Sequence, residues 1–130
     1  MRLVNAVRRR RVRRFARVVW ESIENNEGDA QKAEEELRSK IASIPVLIEL
    51  GLILLKLLLN YWNSRRDGER TAVVELLATS AVLESEEMYL VAEDLQDDGM
   101  NDLARAVRWI AINSQQLNDP ETFGESEIEE

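Results

Sequence analysis

Apolar residues recur at helical spacing along most of this chain, and the most apolar stretch is IPVLIELGLILLKLLLNYW at residues 44–62. Leucine, a strong helix former, dominates it. Glu49, Lys56, Asn60 and Asn63 follow one another at spacings of seven, four and three, so on a helix they share one narrow polar stripe. We therefore predict a helix that is buried on most of its surface and forms the centre of the fold.

Weaker amphipathic patterns on both sides of this stretch predict further helices at 1–26, 30–42, 69–83, 85–98 and 102–116. The pattern leaves open whether 85–98 continues the helix before it or starts a new one. The fold class is all-α: a single-domain bundle of about five helices around 44–62. Residues 1–26 form a basic amphipathic N-terminal helix or arm, 29–117 a helical domain and 118–130 an acidic C-terminal tail.

Each predicted helix has one apolar face that we expect in the core. The core residues predicted in this way are Val12, Phe15, Ala16, Val19, Ile23, Ala33, Leu37, Ile41, Val73, Val74, Leu77, Ala81, Met88, Val91, Ala92, Leu95, Leu103, Val107, Ile110 and Ala111, with Leu83 left open. Asp29 is expected to cap the helix that follows it. Gly51 would allow a close approach of another backbone.

The apolar helix can be covered in three ways: by the chain's own helices, by other subunits or by a membrane. A membrane-spanning helix needs about 20 mainly apolar residues. This run is slightly short, and Glu49 and Lys56 lie within it. Burial in the chain's own bundle is therefore preferred, with burial between subunits second and the membrane third.

The sequence AEDLQDDGMNDLARAVRW at residues 92–109 combines an acidic helix end, a glycine turn and an L-A-x-A-x-R-W helix. It resembles a helical hairpin from repeat-like segments of bacterial proteins. The resemblance covers less than a fifth of the chain and implies two antiparallel helices, without any known chemistry.

Charge is distributed very unevenly along the chain. The net charge is −8, but residues 1–20 contain eight arginines and no acid, which leaves −16 on the remainder. Residues 71–104 contain nine acids and no Lys or Arg. Since arginine binds phosphate and carboxylate through a planar fork, we predict that the first helix binds a polyanion or an acidic partner. The candidate residues are Arg8, Arg9, Arg10, Arg11, Arg13, Arg14 and Arg17.

Three partners fit this arginine segment: nucleic acid, an anionic membrane surface, and an acidic protein surface such as 71–104 of a neighbouring copy. Only Phe15 and Trp20 lie near the arginines, so stacking of unpaired bases, and with it sequence-specific binding, is not expected. Nucleic acid and protein partners rank equally, and membrane follows.

Most catalytic chemistry has no residues to carry it. The chain has no histidine and no cysteine, no G-x-S-x-G motif and no glycine-rich phosphate loop. Residues 97–102, DDGMND, lack the alternating ligands and the closing glutamate of a calcium loop. We therefore predict no catalytic, cofactor or metal site and no small-molecule substrate.

These observations predict a non-enzymatic structural or adaptor subunit of a larger assembly, either a homo-oligomer or one bound to other subunits. It would self-associate through the surface formed by Leu50, Leu54, Leu57, Leu58 and Trp62. The sequence gives no secretion signal, so we expect an intracellular setting or a virion-type particle. The alternative is a membrane-associated protein that inserts 44–62 while the arginines bind anionic lipid.

Overall fold

A computed structural model describes residues 2–41, 45–64 and 70–117 of the chain. These residues form six helices and no strand: α1 (Arg2–Asn25), α2 (Ala30–Ile41), α3 (Pro45–Ser64), α4 (Arg70–Ser80), α5 (Ser85–Asp97) and α6 (Asn101–Leu117). The predicted all-α class is confirmed. The predicted acidic tail, 118–130, lies outside the described residues.

The helix count of six, rather than about five, comes from a break after Ser80. The Ser80 hydroxyl donates a hydrogen bond to the Leu77 carbonyl at 2.8 Å. The next amides bond three residues back, from Val82 to Thr79 at 3.1 Å and from Leu83 to Ser80 at 3.2 Å. Such tight final turns are common where a helix ends. Glu84 is then extended, and a new helix begins with acids in its first turn, which suits the helix dipole.

α1 packs against four other helices, α2, α3, α4 and α6, as many neighbours as α6 has. All five residues predicted to face the core are buried, and so are Val18, Trp20 and Ser22. Between residues 15 and 23 the helix is therefore covered on almost every side. The centre of the bundle lies at this half of α1 and not at α3 alone, where the sequence placed it.

α3 packs against α1, α2 and α6 and keeps one side open to solvent. The predicted polar stripe of Glu49, Lys56, Asn60 and Asn63 is exposed, and Ile53 lies among these residues at 41% exposure. The core residues predicted in α2, α4, α5 and α6 are buried, with the exception of Val91, Leu95 and Ala111, which are half-buried like Leu83.

Three aromatic side chains join α1 to α3. Trp20 is fully buried, and its ring centroid lies 5.9 Å from that of Tyr61 and 5.6 Å from that of Trp62. Trp62 meets Trp20 edge-on, a favoured arrangement worth about 0.5–1.5 kcal/mol beyond burial. The Trp62 indole also lies directly over the turn after α1, at Gly28.

The chain reverses between α1 and α2 through residues with left-handed backbone. Glu27 has φ 50° and Gly28 φ 82°, and the Gly28 amide bonds the Ile23 carbonyl at 3.0 Å. Asp29 then caps α2 as predicted, since its Oδ1 accepts a hydrogen bond from the Lys32 amide at 3.1 Å.

Gly51 makes room for two α2 side chains against α3, whereas the close approach of another backbone that was predicted for it stays a prediction. It is buried, and a Cβ at this position would lie 2.9 Å from Cδ1 of Ile41 and 3.3 Å from Cδ2 of Leu37. Both of these α2 side chains are themselves almost completely buried. A larger residue at position 51 would therefore push the two helices apart.

α5 and α6 form the antiparallel hairpin that residues 92–109 imply. The Met100 amide bonds the Leu95 carbonyl at 2.8 Å across Gly99, which has φ 82°. This is the Schellman pattern of a helix end. α5 packs chiefly against α6 and buries only Met88 and Ala92, so it lies on the outside of the bundle.

We predict that Gly28→Ala destabilises the protein more than Gly99→Ala. Both glycines have φ 82°, so both substitutions carry the left-handed cost of about 1–2 kcal/mol. At Gly28 the new Cβ would also lie 2.5 Å from Nε1 of Trp62, whereas at Gly99 nothing lies within 4 Å. Urea denaturation of both variants measures the difference, and equal destabilisation would show that Trp62 moves aside without cost.

Candidate functional site

Four consecutive arginines form one full turn of α1 near its start. Since successive residues of a helix are about 100° apart, Arg8, Arg9, Arg10 and Arg11 point in four different directions. Arg9 and Arg10 are exposed, and Arg8 and Arg11 are half-buried. We refer to these four residues as the arginine turn; it lies on the same helix as the most buried part of the core.

The other three predicted binding residues, Arg13, Arg14 and Arg17, are half-buried. Arg13 and Arg17 lie beside α4, where they line a cleft of about 350 Å³. Thus the structure does not bring all seven arginines to one face. Arg8 to Arg11 form the arginine turn, whereas Arg13 and Arg17 lie at the boundary of α1 with α4.

Arg13 already binds a carboxylate of its own chain. Its Nε donates to Oε1 of Glu75 at 2.6 Å and its Nη2 to Oε2 at 3.2 Å. This paired geometry is the strong form of an arginine–carboxylate contact. Both side chains are part-covered, with 34% and 47% exposure. Arg13 therefore holds α4 against α1, and its fork is occupied in this structure.

A second ion pair closes the other end of the same boundary. Arg70, the first residue of α4, donates through Nε to Oε1 of Glu24 at 2.7 Å, and its Nη1 lies 3.5 Å from Oε1 of Glu21. The hydrogen bond to Glu24, together with the charges of Glu24 and Glu21, raises the pKa of Arg70. The pairing of early α4 with late α1 makes the two helices antiparallel.

The cleft between these two ion pairs is lined by Arg13, Arg17, Arg70, Thr71, Val74 and Glu75. It is open to solvent on one side. Its lining contains three guanidinium groups and one carboxylate, but Glu24 and Glu21 also lie within 3.5 Å of Arg70, so the charges around the cleft nearly balance. Because Glu75 and Glu24 already hold Arg13 and Arg70, an anion that entered the cleft would compete with contacts that stabilise the fold.

The five residues predicted for self-association are largely used inside the chain. Leu50, Leu54 and Leu58 are buried in the core, and Leu57 and Trp62 are half-buried against it. In the folded chain, three of the five have almost no surface left for a second copy. Self-association through them stays a prediction. Among residues 48–63 of α3, whose side chains the structure describes, the exposed large apolar residue is Ile53.

A surface on α5 was identified from the sequence only as part of the acidic stretch 71–104. Tyr89 is 60% exposed and Leu90 62% exposed. Leu90 is surrounded, at positions three and four residues away on the helix, by four exposed acids: Glu86, Glu87, Glu93 and Asp94. The helical pattern already predicted this exposure, because the inner face of the helix was assigned to Met88, Val91, Ala92 and Leu95. Tyr89, Leu90 and the four acids were then left on the outer face. We refer to Tyr89, Leu90 and these four acids as the acidic outer face.

The described residues contain neither a candidate metal site nor a candidate membrane-spanning helix. Among residues 2–41, 45–64 and 70–117, no group of three or more acidic side chains could hold a metal ion. Within the same part of the chain, no helix is both long enough and apolar enough to cross a bilayer.

Comparison with protein-family models, with curated proteins and with solved structures finds no match for this chain.

We predict a coupling free energy of about 0.5–1 kcal/mol between Arg13 and Glu75, since the pair is bidentate but still partly solvated. A double-mutant cycle with Arg13→Gln, Glu75→Gln and both together measures it by urea denaturation. The coupling should fall at high salt.

The matched control cycle uses Arg105 and Asp102, whose charged atoms lie 3.8 Å apart on one helix and whose arginine is 63% exposed. This pair should show a clearly smaller coupling. Equal couplings in the two cycles would contradict the assigned role of Arg13 in joining α1 to α4.

Proposed function

We propose that this protein is a non-enzymatic structural or adaptor subunit of a larger assembly, and that the arginine turn anchors it to a polyanionic surface. That surface is a nucleic acid bound without sequence specificity or an acidic protein. The observation that carries the proposal is the arginine turn itself: two exposed arginines on a helix whose next turns form the centre of the core.

The packing of the core supports the proposal because it makes the helix that carries the arginine turn rigid. Residues 15–23 of α1 are buried almost all round, and Trp20 is held by Tyr61 and Trp62. The arginine turn begins about two helical turns before this segment on the same continuous helix. Guanidinium groups attached to a helix that is held rigidly in this way lose less conformational freedom on binding than they would on a flexible arm.

The arginines differ in their contribution to the packing of the bundle and in their exposure. Arg13 and Arg70 contribute to the packing of α4 on α1 through carboxylates of the same chain. Arg9 and Arg10 lie earlier on α1 and are exposed. Residues 1–20 contain no acid, so the local charge of this stretch is strongly positive. We therefore assign the anchoring role to the arginine turn and a stabilising role to Arg13.

The chemistry of this surface favours contacts with charged groups over the recognition of bases. Arginine forks match the geometry of phosphate and of carboxylate. Phe15 and Trp20, the aromatic residues nearest in sequence to the arginine turn, are both fully buried and cannot stack on bases. The setting predicted from the sequence, intracellular or within a virion-type particle, stays a prediction, as does the membrane-associated alternative.

We predict that the full chain binds duplex DNA of unrelated sequences with equal affinity, and that the variant Arg9→Gln/Arg10→Gln binds at least tenfold more weakly. Fluorescence anisotropy over a salt series measures both. The slope of log K against log salt should become shallower by about 0.9 for every phosphate that the variant no longer neutralises. Anionic vesicles in the same assay test the membrane alternative.

The control variant is Arg38→Gln/Arg105→Gln, which removes the same charge from exposed arginines on α2 and α6. It should leave the affinity nearly unchanged. Equal weakening in both variants would show a general charge effect and remove the arginine turn from the proposal. A chain that binds no DNA would limit the anchoring surface to acidic protein.

A further inference from the structure

We infer that the acidic outer face of α5 binds the arginine turn of a second copy of this chain. The inference depends on the proposed anchoring role of the arginine turn and names its partner. Three observations support it: the position of α5 on the outside, the composition of its outer face, and the separation of the two charged surfaces within one copy.

The position of α5 leaves most of it uncovered. Met88 and Ala92 are its only buried residues, with Val91 and Leu95 half-buried towards α6. A helix that is covered by a single neighbour presents the rest of its surface to solvent or to a partner. The acidic outer face is on this uncovered side.

The composition of the face is apolar at its centre and acidic around it. Leu90 and the adjacent Tyr89 are both about three-fifths exposed. The four acids around Leu90 are all exposed, and no Lys or Arg occurs from residue 71 to residue 104. The favourable occupant of such a surface is a cationic helix that also presents apolar atoms. The arginine turn fits, because the stems of Arg9 and Arg10 are aliphatic and their heads are positive.

The two surfaces lie on helices that are not close neighbours within one copy. α1 packs against α2, α3, α4 and α6, whereas α5 packs chiefly against α6. α6 contacts both the helix that carries the arginine turn and the helix that carries the acidic outer face. Each molecule presents exposed residues of both surfaces to solvent, so a second copy can supply the complement of each.

Such a contact is heterologous, since each copy contributes a different surface. In a dimer formed in this way, one copy still presents its arginine turn and the other still presents its acidic outer face to further copies. Further copies can add until a ring closes, or without limit if it does not. The contact would also leave most of the α1–α4 boundary untouched.

Light scattering with inline sizing of the full chain, after nuclease treatment, tests the inference. In about 0.05 M NaCl the mass should exceed the 15.0 kDa of one chain and rise with concentration. In about 0.5 M NaCl it should return to one chain, because the contact depends on exposed charges. An oligomer that persists at high salt, or that disappears on nuclease treatment, would overturn a direct contact of this kind.

Two variants locate the two surfaces. Arg9→Gln/Arg10→Gln alters the arginine turn, and Leu90→Ser/Glu93→Gln/Asp94→Asn alters the acidic outer face. Each should be a monomer at low salt with unchanged helical circular dichroism. The matched control, Glu34→Gln/Glu35→Gln, removes two exposed acids from α2 and should assemble normally.

An equimolar mixture of the two variants gives the sharpest result. One variant keeps only its acidic outer face and the other only its arginine turn, so the mixture should form a dimer, twice the mass of one chain, and nothing larger. Two folded variants that stay monomeric when mixed would overturn the inference.

The sizing and DNA-binding results together distinguish a failure of this inference from a failure of the proposed function. A wild-type chain that is monomeric at all concentrations but binds DNA through the arginine turn would overturn self-docking and leave the polyanion anchor standing. A chain that neither self-associates nor binds DNA would overturn both.

Discussion

The fold depends on covering the second half of α1. From Phe15 to Ile23 this helix is apolar on nearly every side, so no single neighbouring helix can bury it. α3 covers one side and places Tyr61 and Trp62 on Trp20. α4 covers another, held by ion pairs of Arg13 and Arg70. The α1–α2 turn then has to accommodate the Trp62 indole, and only a residue without a side chain fits there, at Gly28.

The sequence pattern predicted the helices and their inner faces well. Helical spacing is a local property, so Leu37, Leu77 and Ile110 could be assigned to the core without knowledge of their neighbours. The break at Ser80 was left open, because either a continuous or an interrupted helix satisfies the same apolar spacing there. The candidate binding arginines were named from charge alone and stay a prediction, and charge could not show that Arg13 and Arg17 would lie at the α4 boundary, away from the arginine turn.

The coverage of α1 and of α3 was not predicted correctly because it depends on packing between helices that are distant in sequence. Charge content made the first 20 residues look like an exposed arm, although the apolar residues among them outweigh the arginines from Phe15 onward. In the same way, the density of leucine made α3 look central, but its solvent-exposed stripe keeps one side out of the core. Which of two apolar helices is covered more completely depends on how many neighbours surround each one, and no local pattern records that number.

The absence of histidine has a consequence for the uneven charge of the molecule. Histidine is the side chain that ordinarily changes charge between pH 5 and 8, and this chain has none. Its basic and acidic surfaces form an electric dipole to which no histidine contributes. Such a dipole acts beyond contact, over roughly the Debye length of 8–10 Å in physiological salt. A charged partner would turn the molecule into its binding orientation before the two surfaces touch, and salt, rather than acidity, would control that approach.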